Sequence, residues 1–312
     1  MILVTGGTGF VGRALVRQLV AAGMPVRTLI RPSESTPNLP RGVSLEVAVA
    51  ALSDERSLRA AMRDVDVVFH LAGAEHQGAR ADLMGTDIRG TETLARAAAE
   101  QGIQRLFYVS HLGADRASAF PLFKAKGIAE EYIRRSGVPY SIFRAAILYG
   151  PEDHFMSGLA RQIGLSPVIF FPSRSDILLQ PLWVEDLVTS MVWSLDNEAT
   201  IGQTYEIGGG EYFTVREVMD IVMKTIRKRR ILLPLSMPYL RGMTVALESW
   251  LPGFPSSVFW LDYISVNRTC PADSVPRQFG FLPARFTYRL DYLKSVDWGR
   301  QARRRIMDRR HA

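Results

Sequence analysis

Ile2-Leu-Val-Thr-Gly-Gly-Thr-Gly-Phe-Val-Gly-Arg13 decides the fold. Ile2 to Thr5 reads as a short buried strand. Gly6, Gly9 and Gly12 recur every third residue, and Arg13 to Val20 continues as an amphipathic helix. A strand, a glycine turn and a helix in that order form an anion site. The turn lets the backbone approach a pyrophosphate, and the helix N-terminus offers N–H groups and its dipole. The cofactor contacts expected here are Gly6, Thr8, Gly9, Phe10, Val11, Gly12 and Arg13.

Working outward, strands alternate with helices. Pro25–Ile30, Val43–Val49, Asp66–Leu71, Leu106–Ser110 and Tyr140–Phe143 read as strands, and Ser33 to Gly42 as a loop. Ser53 is placed to cap a helix running to Met62, and helices are expected over Thr91–Gln101, Lys124–Arg135 and Val184–Leu195. This spacing predicts an α/β fold: a Rossmann-type doubly wound parallel sheet with a smaller, irregular C-terminal α/β lobe. Ala72-Gly73-Ala74 is small enough for a cofactor to lie across the carboxyl end of the fourth strand, where Leu71, Ala72 and Gly73 are expected contacts. Arg31 stands where an acidic residue would bind the ribose 2′-hydroxyl of NAD. Together with Arg13 it favours NADP(H) over NAD(H).

Later in the chain, Tyr205–Ile207 is a short strand, and Thr214-Val-Arg-Glu217 is a capping box opening an apolar-faced helix. Seven of the 17 prolines lie between Pro234 and Pro283, too many for long regular elements. A helix over Tyr239–Trp250 would put Leu240, Met243, Leu247 and Trp250 on one face, with Arg241 and Glu248 opposite. The expected division is 1–230, a nucleotide-binding domain with part of a second lobe, and 231–312, a proline-rich docking or substrate region with a basic tail.

Size and charge narrow the class. A chain of 312 residues can bury a large core. The single cysteine, Cys270, excludes an internal disulfide. No uncharged apolar run is long enough to span a bilayer, and no signal peptide is expected ahead of the strand at Ile2. Cytoplasmic placement follows, with contact to the inner face of a membrane. The net charge of +7 is concentrated in Arg227-Lys-Arg-Arg230 and in Arg300, Arg303, Arg304, Arg305, Arg309 and Arg310. These clusters favour an anionic lipid surface or an acidic face of a membrane-associated protein complex. No aromatics interleave with them, so nucleic acid is the least favoured partner. No metal-ligand spacing appears.

Taken together, Thr5-Gly-Gly-Thr-Gly-Phe-Val-Gly12, Asp66-Val-Val-Phe-His-Leu-Ala72, Asp87-Ile-Arg-Gly-Thr91, Phe107-Tyr-Val-Ser110, Lys126 and Tyr149-Gly-Pro151 resemble the extended short-chain dehydrogenase/reductase superfamily. Within it the chain is similar to the atypical branch, which holds the nucleotide-binding accessory subunit of respiratory complex I and the NmrA-like proteins. Phe279-Gly-Phe-Leu-Pro283, Phe286 and Leu290-Asp-Tyr-Leu293 add to the complex I-like resemblance. The resemblance implies that Lys126 hydrogen-bonds the nicotinamide ribose and that Ser110 is a remnant of the catalytic serine.

The departures point elsewhere. Catalytic members carry a tyrosine four residues before the lysine; here that residue is Leu122, so the usual acid–base step has no donor. Tyr108 and Tyr132 are not obvious replacements. The acidic residue that holds adenine in many members is replaced by Ala50-Ala51, and the usual asparagine by Asp87. His111 and His154 are the remaining proton-transfer candidates. Three functions stay open: a nucleotide-binding accessory or assembly subunit of a membrane redox complex, a reductase or epimerase with a non-tyrosine proton donor, and an NmrA-like redox sensor.

Overall fold

The computed structural model describes residues 1–33, 39, 42, 44–173, 176–251, 254–255 and 257–308. Most of the Ser33–Gly42 loop, the expected strand start at Val43, and Arg309 and Arg310 lie outside the described residues. Two compact units form. The first comprises Met1–Gln77, Ala81–Ala145 and Val184–Ile207, and the second Gly78–Arg80, Ala146–Trp183 and Gly208–Ala312.

The first unit is built on β1 (Ile2–Thr5), α1 (Phe10–Ala21), β2 (Val26–Ile30), β3 (Glu46–Val49), α2 (Glu55–Ala61), β4 (Val67–His70), α3 (Gly90–Glu100), β5 (Arg105–His111), α4 (Pro121–Arg135), β6 (Tyr140–Ala145) and β7 (Gln203–Ile207). The seven strands make one sheet in the order β7-β6-β5-β4-β1-β2-β3, with every pairing parallel. Strand residues alternate between its two faces. Leu3, Val68, Leu106 and Ile142 pack with Leu58 of α2, Leu94 and Ala98 of α3, and Ala129 and Ile133 of α4. On the other face Phe69, Phe107, Phe143 and Tyr205 form an aromatic ladder across β4, β5, β6 and β7, with successive centroids 4.5, 6.4 and 5.6 Å apart. α1 pairs with the helix Val184–Trp193, where Gln18 Nε2 donates to Thr189 Oγ1 at 3.3 Å. The chain order reverses at β1 and β4, and ligands of open α/β sheets bind at the carboxyl ends of such a pair.

Two local expectations are corrected. The cap of α2 is Asp54, not Ser53: its carboxylate accepts the Ser57 N–H at 3.2 Å. Carboxylate and hydroxyl are both good caps, and Asp54 occupies the position whose oxygen reaches the third residue in. The helix Met237–Trp250 begins earlier than read, with Pro238 in its first turn. Its buried residues are Leu240 and Thr244, while Trp250 is 85% exposed. The expected face therefore turns away from the core at its C-terminal end.

Among the described residues the second unit holds three two-stranded ribbons: Leu148–Tyr149 with Leu182–Trp183, Leu178–Leu179 with Phe213–Thr214, and Val168–Pro172 with Ile231–Leu235. The capping box forms as read. Thr214 Oγ1 accepts the Glu217 N–H at 3.2 Å, and Glu217 accepts the Thr214 N–H at 2.7 Å. Helix Phe155–Leu165 packs on Trp298–Asp308 through Gly164 and Gly299, where a Cβ on Gly164 would lie 2.6 Å from the Gly299 nitrogen. Among the described residues, no helix is long and apolar enough to cross a membrane.

A fully buried histidine ties the first unit together. His70 Nδ1 bonds Thr5 Oγ1 at 2.7 Å, and Nε2 bonds Thr91 Oγ1 at 2.9 Å. One ring thus joins the end of β1 to α3. Burial, and then the charge of Lys126, lowers its pKa to about 3. The folded state keeps the ring neutral while the unfolded chain takes up a proton below pH 6.5. Its contribution is present above 6.5 and is lost as pH falls toward 3, at about 1.4 kcal/mol per pH unit. Urea unfolding of wild type and His70→Gln between pH 7 and pH 4 checks this: the variant is expected to be less stable at neutral pH and to lose less stability on acidification.

Candidate functional site

The glycine turn joins β1 to α1 by close approach. Gly6 has φ +71°, and a Cβ there would lie 2.7 Å from the Ala72 nitrogen. A Cβ on Gly12 would lie 2.1 Å from the Gly6 oxygen. Gly9 differs: its Cβ would meet only the Gly6 oxygen, at 3.1 Å, so its outer side is open. α1 starts at Phe10 with Gly9 as its N-cap, no side-chain cap and no acidic residue in its first turn. Its leading N–H groups therefore face an open, uncharged cradle, which fits a diphosphate. Gly6, Thr8, Phe10, Val11, Leu71, Ala72 and Gly73 are half-buried around it, and Gly12 is buried.

Arg13 donates through Nη1 to the Thr8 carbonyl at 2.5 Å, and Arg31 is exposed directly after β2. After β3, Ala50 is buried and Ala51 half-buried. The next carboxylate, Asp54, is engaged as the α2 cap.

The second half of the site is a buried lysine. Lys126, on α4, is 4% exposed and Asp87 is fully buried. Lys126 Nζ lies 3.0 Å from Asp87 Oδ1 and 3.6 Å from Glu75 Oε2. The ring centroid of Tyr108 is 5.4 Å from Nζ. A π-helical turn, Leu83–Arg89, directs Asp87 inward, and the Ala74 N–H donates to its other oxygen at 3.0 Å. Burial works against the lysine charge; Tyr108, Asp87 and Glu75 outweigh it and hold its pKa well above the ordinary value. Burial pushes the Tyr108 hydroxyl far up, so it stays neutral and stabilises the ammonium through its ring face. The two carboxylates supply the countercharge.

Leu122 is buried one helical turn before Lys126, where the resemblance expects tyrosine. Ser110 is fully buried at the end of β5, and its hydroxyl has no hydrogen-bond partner among the described residues. The Tyr108 hydroxyl is equally without one. Tyr132 is half-buried on α4. His111 ends β5 with Nε2 3.2 Å from Glu75 Oε2, so one carboxylate lies between His111 and Lys126. His154 is exposed ahead of helix Phe155–Leu165 and belongs to the second unit. No grouping of metal-ligating side chains occurs among the described residues.

Sequence reasoning missed Glu75 and Asp153. Glu75 follows Ala74 in an irregular stretch with no periodicity to flag it. Asp153 is buried in the second unit, accepting the Ser157 N–H at 2.8 Å, the Gly150 N–H at 3.2 Å and the Tyr292 hydroxyl. Its partner Tyr292 lies within the Leu290–Leu293 motif, 139 residues away.

This fold and this cradle define a nicotinamide dinucleotide-binding protein of the Rossmann type. The NAD(P)H-binding family matches residues 6–157. The NADH dehydrogenase (ubiquinone) 1 alpha subcomplex subunit 9 of Arabidopsis thaliana mitochondria is 30% identical over 280 residues, 85% of this chain and 69% of the plant protein. The ceramide reductase of Caulobacter vibrioides is 27% identical, covering 96% of both chains. Triphenylmethane reductase of a Citrobacter species, solved with NADP(H), superimposes with a TM-score of 0.73 at 20% identity, covering 97% of this chain and 100% of that one. The chain belongs to the extended short-chain dehydrogenase/reductase superfamily, in the atypical branch of the complex I subunit 9 proteins.

Two predictions follow from the buried charges. Lys126→Met leaves Asp87 buried without its cation and is expected to cost about 3–5 kcal/mol in urea unfolding, and adding Asp87→Asn is expected to recover much of that loss. Burial raises the Asp153 pKa to about 6, against the bonds from Ser157, Tyr292 and Gly150 that lower it. The folded state holds that proton where the unfolded chain, at 3.8, has released it. Its stabilisation is complete below 3.8 and is lost as pH rises through 6, opposite in sign to His70. Asp153→Asn is expected to remove this loss, read as the difference from wild type between pH 4 and pH 7.

Proposed function

We propose that this chain is an NADP(H)-binding accessory or assembly subunit of a membrane-associated redox complex, without tyrosine-dependent catalysis. The observation that carries the reading is Leu122. A hydrocarbon occupies the position of the proton donor, while the nucleotide cradle and Lys126 beside it are intact. Selection for turnover would keep an ionisable group there; selection for binding would not need one. Arg13 and Arg31 support NADP(H), because a 2′-phosphate beside two guanidinium groups is neutralised, and there is no acidic residue at the end of β2 to repel it. The relationship to the plant complex I subunit supports the docking role.

A second reading has one observation of its own. Glu75 and His111, half-buried and beside Lys126, could supply a proton in place of tyrosine. The bound nucleotide would supply the hydride. The full-length likeness to a ceramide reductase belongs with this reading.

Calorimetry with the purified chain separates the parts. NADPH is expected to bind more tightly than NADH. Arg31→Asp is expected to lower NADPH affinity by about tenfold or more and to spare NADH. No heat with either nucleotide would refute the binding role. Steady NADPH oxidation with a ketone or quinone substrate, abolished by Glu75→Gln with His111→Gln, would replace the first reading with the second.

A further inference from the structure

Two basic clusters seventy residues apart in sequence meet at one helix end. Arg230 Nε donates to the Ile163 carbonyl at 2.7 Å, which places Arg227–Arg230 at the C-terminal end of helix Phe155–Leu165. Gly164, the next residue, is the point where helix Trp298–Asp308 packs through Gly299. In that second helix Trp298 and Ala302 are buried, so Arg300, Arg303, Arg304 and Met307 lie outward at helical spacing. Arg227, Lys228, Arg229, Arg300 and Arg303 are all exposed, and none has a carboxylate partner among the described residues. Helix C-termini attract cations. Arg230 already serves one such end, and these five add charge that the fold leaves unneutralised.

Apolar surface continues directly from this charge. Strand Ile231–Leu235 begins at the residue after Arg230 and pairs in parallel with Val168–Pro172, Ile231 opposite Val168 and Leu233 opposite Phe170. Partners in a parallel pair share a face. The inner face buries Ile169 and Phe171. The outer face exposes Ile231 at 61%, Leu233 at 42% and Phe170 at 41%. A solvated edge ribbon is expected to be polar and charged on its outer side. Here the outer side is aliphatic and aromatic, and its border is cationic.

We propose that this face of the second unit binds the surface of an anionic phospholipid bilayer, with Phe170, Ile231 and Leu233 entering the headgroup boundary and the five cations meeting lipid phosphates. Unneutralised arginine and lysine bordering exposed apolar residues is the pattern that adsorbs to negatively charged membranes, needing both area and charge. Duplex nucleic acid would use the cations and leave the apolar ribbon in water, so it fits less of the surface. The inference deepens the docking half of the function proposed above and rests on it for its biological setting.

Sedimentation of the full chain with vesicles tests it, comparing pure phosphatidylcholine with phosphatidylcholine containing phosphatidylglycerol. Binding is expected only to the second, weakening as salt rises. Each cation near the bilayer is worth about fivefold in partition, so loss of two costs about twenty-fivefold, and the reversal Arg227→Glu with Arg229→Glu is expected to cost more than that. Arg300→Glu with Arg303→Glu is expected to cost a similar factor, and Ile231→Ser with Leu233→Ser to weaken binding at high salt. Circular dichroism and a urea midpoint matching wild type show that each variant is folded. Equal binding to both vesicles, no binding to either, indifference to charge reversal, or tighter binding to duplex DNA would each overturn the inference. Co-purification of redox-complex subunits with a chain that ignores vesicles would sink this inference alone. Vesicle binding without such subunits would leave it standing and count against the complex.

Discussion

The carboxyl end of β1 can meet β4 and α1 only because positions 6 and 12 carry no side chain. A single carbon at Gly12 would sit 2.1 Å from the Gly6 oxygen, and one at Gly6 would press on the backbone of Leu71 and Ala72. Backbone cannot yield as a flexible side chain does, so a larger residue would lever α1 away from the sheet. That close packing aims the uncapped start of α1 over the strand ends. The Thr5–His70–Thr91 bridge fixes the same corner from below, through hydroxyls on β1 and α3. Packing and polar geometry thus converge on one place.

The second constraint is electrostatic. A buried ammonium must have a countercharge, because burial of an isolated charge is far more costly than the fold's margin of stability. Lys126 obtains it from Asp87 and Glu75 and adds the face of Tyr108. The π-helical turn before α3 brings Asp87 into reach, and the absence of a side chain at Gly73 leaves room, since a Cβ there would approach Lys126 Nζ to 3.2 Å. The lysine end of the site is therefore both charged and pinned.

What could be read from the chain was whatever is local. The glycine spacing, the first strand and the Thr214–Glu217 capping box each depend on residues within a few positions, and these appear in the structure where they are expected, while the third strand is described only over Glu46–Val49. The Asp54 cap was displaced by one residue because Ser53 and Asp54 both have suitable oxygens and only backbone geometry chooses between them. Glu75 was invisible because it lies in an irregular stretch, and its role arises only when β4, β5 and α4 are assembled. Asp153 and Tyr292 meet across 139 residues, which no periodicity reports. Trp250 shows the limit of helical spacing, which puts it on one face with Leu240 without saying what covers that face: Leu240 is buried and Trp250 is 85% exposed.

Leu122 and Asp87 are best understood together. In the tyrosine-bearing pattern the lysine stands beside a phenol whose ionisation it favours, and an asparagine suffices opposite. Replace the phenol by a leucine and the lysine gains a hydrocarbon neighbour, which raises the cost of its charge. A carboxylate at position 87 offsets that cost and locks the ammonium in place. The leucine leaves no ionisable group at position 122, and the carboxylate gives the ammonium its countercharge. At the carboxyl end of β5 the buried Ser110 hydroxyl finds no protein partner among the described residues, a cost that a hydrogen-bonding ligand would relieve.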